Sequence, residues 1–276
     1  QTLWKGHKLG NAVIGSRAVV KGMTRDDLME HMGTYYRPDA LVIAAAGNVD
    51  HVEFVDLVSA AFGKLQGSRP LRDSHAVAPH IEVHLKDKST EQVHFCLGTA
   101  GFPQHSQEKY ALAAVDSVLG GGMSSRLFQE IRESRGLAYA IGSYSASYRE
   151  AGLFAIYGGT SVDNVKTVVE LTREECENIG LNSVTDDELQ RAKNQIRGAL
   201  VLGQESMSNR MSRLAKSELY FGRIIRMEEI IAAILQVSKD NVADVAARLF
   251  QDSKFTVAAI GPFKKHADLL KDVFVQ

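Results

Sequence analysis

The sequence predicts an α+β protein built on a duplicated unit whose first copy is incomplete. Strand-like alternation and helical periodicity fall in separate blocks, as they do where helices pack on an antiparallel sheet. Met23 to Gly47 also lies without gaps on Val237 to Gly261, a period of 214 residues. Thr24 falls on Ser238, Asp26 on Asp240, Leu28 on Val242, Tyr36 on Phe250, Ala44 on Ala258 and Gly47 on Gly261. The second copy has far more sequence ahead of its shared helix than the first. Such a duplication implies that about 130 to 150 residues of the first repeat are missing at the N-terminus. The alternative is a generic helix-then-strand coincidence.

Each copy reads as a hydroxyl N-cap, an acidic first turn, an amphipathic helix, a polar turn, a buried strand and a closing glycine. A further helix is expected after each, over His51 to Leu65 and Lys264 to Phe274. Between the copies, QGSRPLRDSHAVAP has the polar, Gly and Pro content of a linker. The expected organisation is therefore a first-domain remnant over 1–66, a linker over 67–79 and a second domain over 80–276.

In that second domain, Ile81, Val83 and Leu85 alternate with polar residues, as do Val93, Phe95 and Leu97 with His94, Cys96 and Gly98, predicting two strands. Glu108 to Leu119 has helical spacing. Ala138 to Tyr148 and Leu153 to Thr160 predict an antiparallel pair turning near Arg149 to Gly152. Val162 to Asn178 is a further helix. Thr185 with Glu188 forms a capping box for a long helix to about Leu202, followed by helices over Ser208 to Tyr220 and Met227 to Leu235.

With 276 residues, 45% hydrophobic and 24% charged, the chain has material for one large or two medium globular domains. A formal net charge of -1 and a pI near 6.8 give no electrostatic case for nucleic acid or an anionic membrane. Cys96 and Cys176 lie far apart without C-x-x-C spacing, so neither a disulfide framework nor a thiolate zinc site is expected, and a reducing compartment fits. No run approaches the ~20 apolar residues of a membrane helix, and the start, QTLWKGHKLG, lacks a signal-peptide core.

The histidines do not assemble a motif. His80, Glu82 and His84 share one side of a strand and can in principle chelate, but their alternation with Ile81, Val83 and Leu85 reads as a solvated face. His105 and Glu108 have H-x-x-E spacing, yet the next residue is Lys109, whose ammonium is no ligand. His31 and His51 read as surface residues. There is no G-x-S-x-G elbow and no G-x-x-x-x-G-K-[ST] phosphate loop.

One segment is left unexplained by composition and packing: LGGGMSSRLFQEIRESRGLAY, Leu119 to Tyr139. Gly120, Gly121 and Gly122 would cost a helix interior about 1 kcal/mol each relative to Ala, so they mark a break. Ser124 or Ser125 then caps a helix with Leu127, Phe128 and Ile131 on its apolar face and Arg126, Glu130, Arg132 and Glu133 on its polar one, closed by Gly136. That end brings Arg132 and Tyr139 toward a common groove, where a guanidinium and a phenol can bind a peptide carbonyl or its oxyanion. The alternative is that Arg132 pairs with Glu130 or Glu133 and Tyr139 is a half-buried strand residue.

The same segment resembles the second-domain signature of the M16 (pitrilysin or insulinase-like) metallopeptidases, nearest to the M16B subfamily of mitochondrial processing peptidase and its bacterial relatives. GHKLGNAVIGS (Gly6 to Ser16) and MTRDDLMEHMGTYYRPDALVIAAAGNVDH (Met23 to His51) are similar to the family's stretch just after its zinc-binding region. The resemblance implies paired α/β-roll domains, each an antiparallel sheet with packed helices. It also implies a Zn²⁺ site in an H-x-x-E-H motif that this chain lacks, so no metal ligand is expected here. Arg132 and Tyr139 match the family's Arg and Tyr seven apart that hold substrate backbone beside the zinc, and Gly120 to Gly122 match its glycine run.

The implied function is the substrate-binding C-terminal part of a zinc-dependent endopeptidase acting on peptides or presequences, inactive by itself. The alternative is a non-catalytic scaffold or partner subunit of a heterodimeric M16 peptidase. Expected partners are a peptide substrate, the missing N-terminal zinc half and a second subunit in a homo- or heterodimer, with neither nucleic acid nor membrane. A bacterial-type cytoplasmic location is expected, with the mitochondrial matrix as the alternative.

Overall fold

The strand alternation and the helical blocks both materialise in the computed structural model, which describes residues 1–71, 77–250, 254–270 and 272–274. In chain order the helices are α1 (Arg17–Gly22), α2 (Arg25–Tyr35), α3 (His51–Phe62), α4 (Lys109–Leu119), α5 (Val165–Asn182), α6 (Asp186–Gly203), α7 (Met207–Phe221), α8 (Met227–Leu235), α9 (Lys239–Phe250) and α10 (Ala267–Leu270). The strands are β1 (Val83–Asp87), β2 (Gln92–Gly101), β3 (Ala138–Ser147), β4 (Gly152–Ser161) and β5 (Thr256–Gly261). The chain divides into two compact units, Gln1–Gly10 with Ala76–Gly198 and Met227–Gln276, and Asn11–His75 with Ala199–Arg226.

The larger unit is an α+β sheet domain with strand order β1-β5-β2-β4-β3. Neighbours are antiparallel except β1 and β5. Alternation decides which face is covered. Val93, Phe95 and Leu97 of β2, Phe154 and Ile156 of β4 and Val257 of β5 are buried with Leu112, Val115 and Leu119 of α4, Val168 and Val169 of α5 and Val242 and Leu249 of α9. Each such side chain contributes about 1.5 to 3 kcal/mol by leaving water. The opposite face of the sheet carries His94, Cys96 and Tyr157 and is open.

The two aligned segments start their helices with like caps. In the first copy Thr24 and Asp27 bond reciprocally, Asp27 N–H to Thr24 Oγ1 at 3.2 Å and Thr24 N–H to Asp27 Oδ2 at 2.8 Å. In the second, Ser238 and Asn241 do the same at 3.1 and 3.0 Å. These are the same two positions of the repeat, each satisfying amide donors that a helix start leaves free.

The strand expected in the first copy does not form. Pro38–Ala40 is a 3-10 turn, and residues 41–46 belong to no strand. The reason is hydrogen bonding, since a strand exists only with a partner. Its counterpart β5 sits between β1 and β2, whereas no described strand pairs with 41–46. None of the residues of α1, α2 or α3 is buried. The helix expected over Lys264 to Phe274 contracts to α10, with residues 271 and 275–276 outside the described residues, as are 72–76 of the expected linker.

The compact units interleave along the chain. Leu3 and Trp4 are buried with Ala151, and Trp4 meets Tyr148 edge-on at 5.3 Å. His80 N–H donates to the Leu3 carbonyl at 2.7 Å, which ties the first residues to the sheet unit. In the smaller unit Arg213 donates to the Ile225 carbonyl at 2.8 Å and the Ser217 hydroxyl accepts from Ile225 N–H at 2.7 Å, closing the end of α7.

Candidate functional site

The glycine run is where α4 presses its end onto β3. The Gly120 carbonyl accepts Ser143 N–H at 3.2 Å. A Cβ on Gly120 would lie 2.3 Å from the Ser143 nitrogen, and one on Gly121 would lie 2.7 Å from the Ser117 Cα, so both positions exclude any side chain. A Cβ on Gly122 would meet only the end of the Gln195 side chain, at 3.2 Å. Beneath this contact Ser143 Oγ donates to Asp116 at 2.5 Å and Ser145 Oγ at 3.3 Å, while burial pushes the Asp116 carboxyl up.

Helix resumes at Arg126 as expected, with Leu127 and Ile131 fully buried. Ser125 stands at its start, but its hydroxyl donates back to the Gly122 carbonyl at 2.6 Å. Arg126 is no solvent-facing residue. It forms a bidentate pair with Glu188 at 2.7 and 2.9 Å and donates to the Ser183 carbonyl at 3.1 Å. Glu188 also accepts Thr185 N–H at 2.8 Å in the expected capping box, and Arg126 above all holds its carboxyl down to about 2. This clamp fixes the segment to the α5–α6 corner.

Residues Phe128–Glu133 form a π-helical stretch, and Phe128 lies under Arg132, four residues on, guanidinium to ring centre 4.8 Å. Gly136, at φ +62°, then reverses the chain, and Leu137 N–H closes on the Ile131 carbonyl at 2.9 Å. A β-bulge follows at the start of β3. Ala138 pairs with Thr160 and Ala140 with Gly159, leaving Tyr139 as the extra residue. Ala138 and Ile141, three apart, are both buried, so the bulge switches the alternation and turns Tyr139 outward, 76% exposed.

The Tyr139 ring lies 5.7 Å from the Arg132 guanidinium, within cation–π range. Glu130 is taken instead by Arg135 at 2.5 Å. Among the described residues neither the Arg132 guanidinium nor the Tyr139 hydroxyl has a hydrogen-bond partner. Two adjacent donors thus face solvent, stacked in place and uncommitted.

The other candidates are occupied differently. The Glu82 carboxylate is bound by Lys5 at 2.6 Å, with His80 at 3.3 Å. Glu108 is held by Ser106 and by Arg248, the latter at 3.0 Å. His31 stacks on Tyr35 at 4.7 Å, and His51 follows the Asp50 cap of α3. Among the described residues no three His, Cys, Asp or Glu side chains gather as a metal site requires, so the residues present do not fit a zinc centre. No described helix is long and apolar enough to cross a membrane.

Comparison with known proteins gives the class. The family described as "Peptidase M16 inactive domain" matches residues 22–196. An uncharacterized zinc protease of Streptomyces coelicolor is 38% identical over 98% of this chain and 61% of its own length, and the likewise uncharacterized zinc protease YmxG of Bacillus subtilis 35% over 93% and 62%. The crystal structure of a peptidase M16 inactive domain from Pseudomonas fluorescens superposes with a TM-score of 0.86 at 20% identity, over 95% of this chain and 63% of that one. A chain of Complex III2 from Candida albicans has a TM-score of 0.83 at 18% identity, over 99% and 68%, which shows a shared fold. The chain belongs to the M16 family of peptidases, a hydrolase family, and corresponds to its inactive domain. It spans about three fifths of the length of these curated relatives.

Proposed function

We propose that the chain is the substrate-binding C-terminal portion of a zinc-dependent endopeptidase of the M16B type, with residues 1–66 completing a first domain, 67–79 linking and 80–276 forming the second. The observation that carries this is the pairing of Arg132 and Tyr139, exposed, mutually stacked and free of acceptors. A guanidinium and a phenol side by side donate to one peptide carbonyl oxygen and bind it more strongly as negative charge grows there. The Arg126 clamp and the bulge hold both donors in place before substrate arrives, so little ordering is left for the moment of reaction. The zinc centre is expected from the segment that precedes this region in its relatives, and the chain alone is expected to be inactive. The substrate is a peptide or presequence, and the assembly a homo- or heterodimer.

The deciding experiment is peptide hydrolysis by the whole gene product, wild type against Arg132→Ala and Tyr139→Phe. Lost turnover in a folded variant supports the reading. An upstream sequence without an intact H-x-x-E-H motif, together with absent hydrolysis, would return the chain to a scaffold role.

A further inference from the structure

The open face of the sheet is organised in two cross-strand rows. Pairing places Lys86, Ile260, His94, Gly159 and Ala140 in one row, and His84, Ala258, Cys96, Tyr157 and Gly142 in the next. All of these but Gly142 line a groove of about 370 Å³. Its middle sets Ala258, Ile260 and Gly159 around the His94 imidazole, Cys96 and Tyr157. A Cβ on Gly159 would stand 3.1 Å from the His94 ring, so the glycine gives that imidazole room to lie on the sheet.

Charge on this face is one-sided. No open-face position of the five strands carries Asp or Glu, while the β1 end of the groove carries Lys86 and His84 and its central strand His94. Among the described residues Lys86 has no ion pair and no hydrogen bond to its ammonium; the adjacent Asp87 alternates to the other face and accepts Lys264 N–H at 2.8 Å, and Glu82 is bound by Lys5. At the other end the row stops at Ala140, the chain neighbour of Tyr139 in the bulge, whose ring lies 5.7 Å from the Arg132 guanidinium. An edge-strand lysine also discourages stray strand pairing. That role needs only a charge at the edge, without imidazoles beside it or a groove leading inward.

We infer that this groove is a subsite for an acidic side chain of a bound peptide, with Lys86 as its anchor and the carboxylate-free floor of β5, β2 and β4 taking the residues between. The inference rests on the Arg132–Tyr139 reading for where the peptide enters. Four strand spacings separate β1 from β3, about 19 Å, which an extended peptide covers in about six residues. The peptide class is therefore one with a Glu or Asp about six residues from the carbonyl held at Arg132 and Tyr139.

The test uses the 276-residue chain and fluorescein-labelled decapeptides of Ala, Leu and Ser, amidated at the C-terminus, carrying one Glu near one end, with Gln and Lys twins. Fluorescence anisotropy should show the Glu peptide binding about fivefold tighter than its Gln twin, the size of a favourable exposed ion pair. Lys86→Gln should erase that preference, Lys86→Glu should transfer it to the Lys twin, and Lys86→Arg should keep it. Arg132→Ala should weaken all three twins by one common factor. Equal affinity of the twins for wild type, no binding of any twin, or a Lys86→Gln effect common to all three overturns the subsite. A Lys86-dependent preference with no Arg132 effect leaves the subsite standing and sinks the role given to Arg132.

Discussion

Gly120 and Ser143 touch through their backbones, carbonyl to amide at 3.2 Å, so closely that no Cβ fits on the glycine. Gly120→Ala must push α4 away from β3. An overpacked contact of this kind costs about 1 to 3 kcal/mol, which urea unfolding of the chain will measure. Gly122→Ala, which meets only a movable Gln195 side chain, should cost less than Gly120→Ala. Equal costs would show that the run acts by flexibility rather than by close approach.

Arg132→Ala and Tyr139→Phe should separate activity from stability. In the whole protein each should lower kcat about 100-fold or more, the cost of losing one oxyanion donor, while KM moves less. Both residues are exposed, so the thermal midpoint should barely shift. Unfolding with unchanged kinetics in the folded fraction would assign the pair to architecture.

Glu188 links two functions, capping α6 and clamping Arg126. Its carboxyl is held down to about 2, below the ordinary 4.5, so the folded state favours the charged form. That stabilisation is complete above pH 4.5, shrinks as pH falls below it and is gone once pH passes about 2. Glu188→Gln should lower stability at neutral pH by about 2 kcal/mol and flatten this acid limb in urea titrations between pH 5 and 2. An unchanged limb would place the acid sensitivity elsewhere.

The residues 41–46 have no strand partner among the described residues, and the surface they share with α3 forms a groove of about 510 Å³ lined by Val42, Ile43, Phe54, Val55 and Leu214. Their amides should exchange with deuterium rapidly in the isolated chain. Supplying the upstream segment of a relative should protect them, as pairing on both sides protects β5. Slow exchange in the isolated chain would contradict the unpaired state.

Metal analysis of the purified chain should find far less than one tightly held zinc per molecule. A stoichiometric ion would revive His80, Glu82 and His84 as ligands.

Local chemistry was legible and long-range chemistry was not. The Thr24 and Thr185 boxes, the hairpin of β3 and β4 and the helix after the glycines all follow from neighbours in sequence. Arg126 looked solvent-facing because its partner, Glu188, lies 62 positions away. The π-helical stretch has no sequence signal comparable to a cap, although Phe128 under Arg132 is the i, i+4 contact that helical spacing already brings together. Residues 41–46 have the composition of a buried strand, but burial and pairing must come from elsewhere.

The bulge at Tyr139 makes the spacing between this tyrosine and Arg132 a matter of counting rather than of chemistry. Register is anchored downstream by Ile141 and Ser143, so alternation without the extra residue would send position 139 into the core. In evolutionary terms the segment should tolerate many substitutions and almost no insertions or deletions. A change of length by one residue would erase the site while leaving every functional side chain in the sequence.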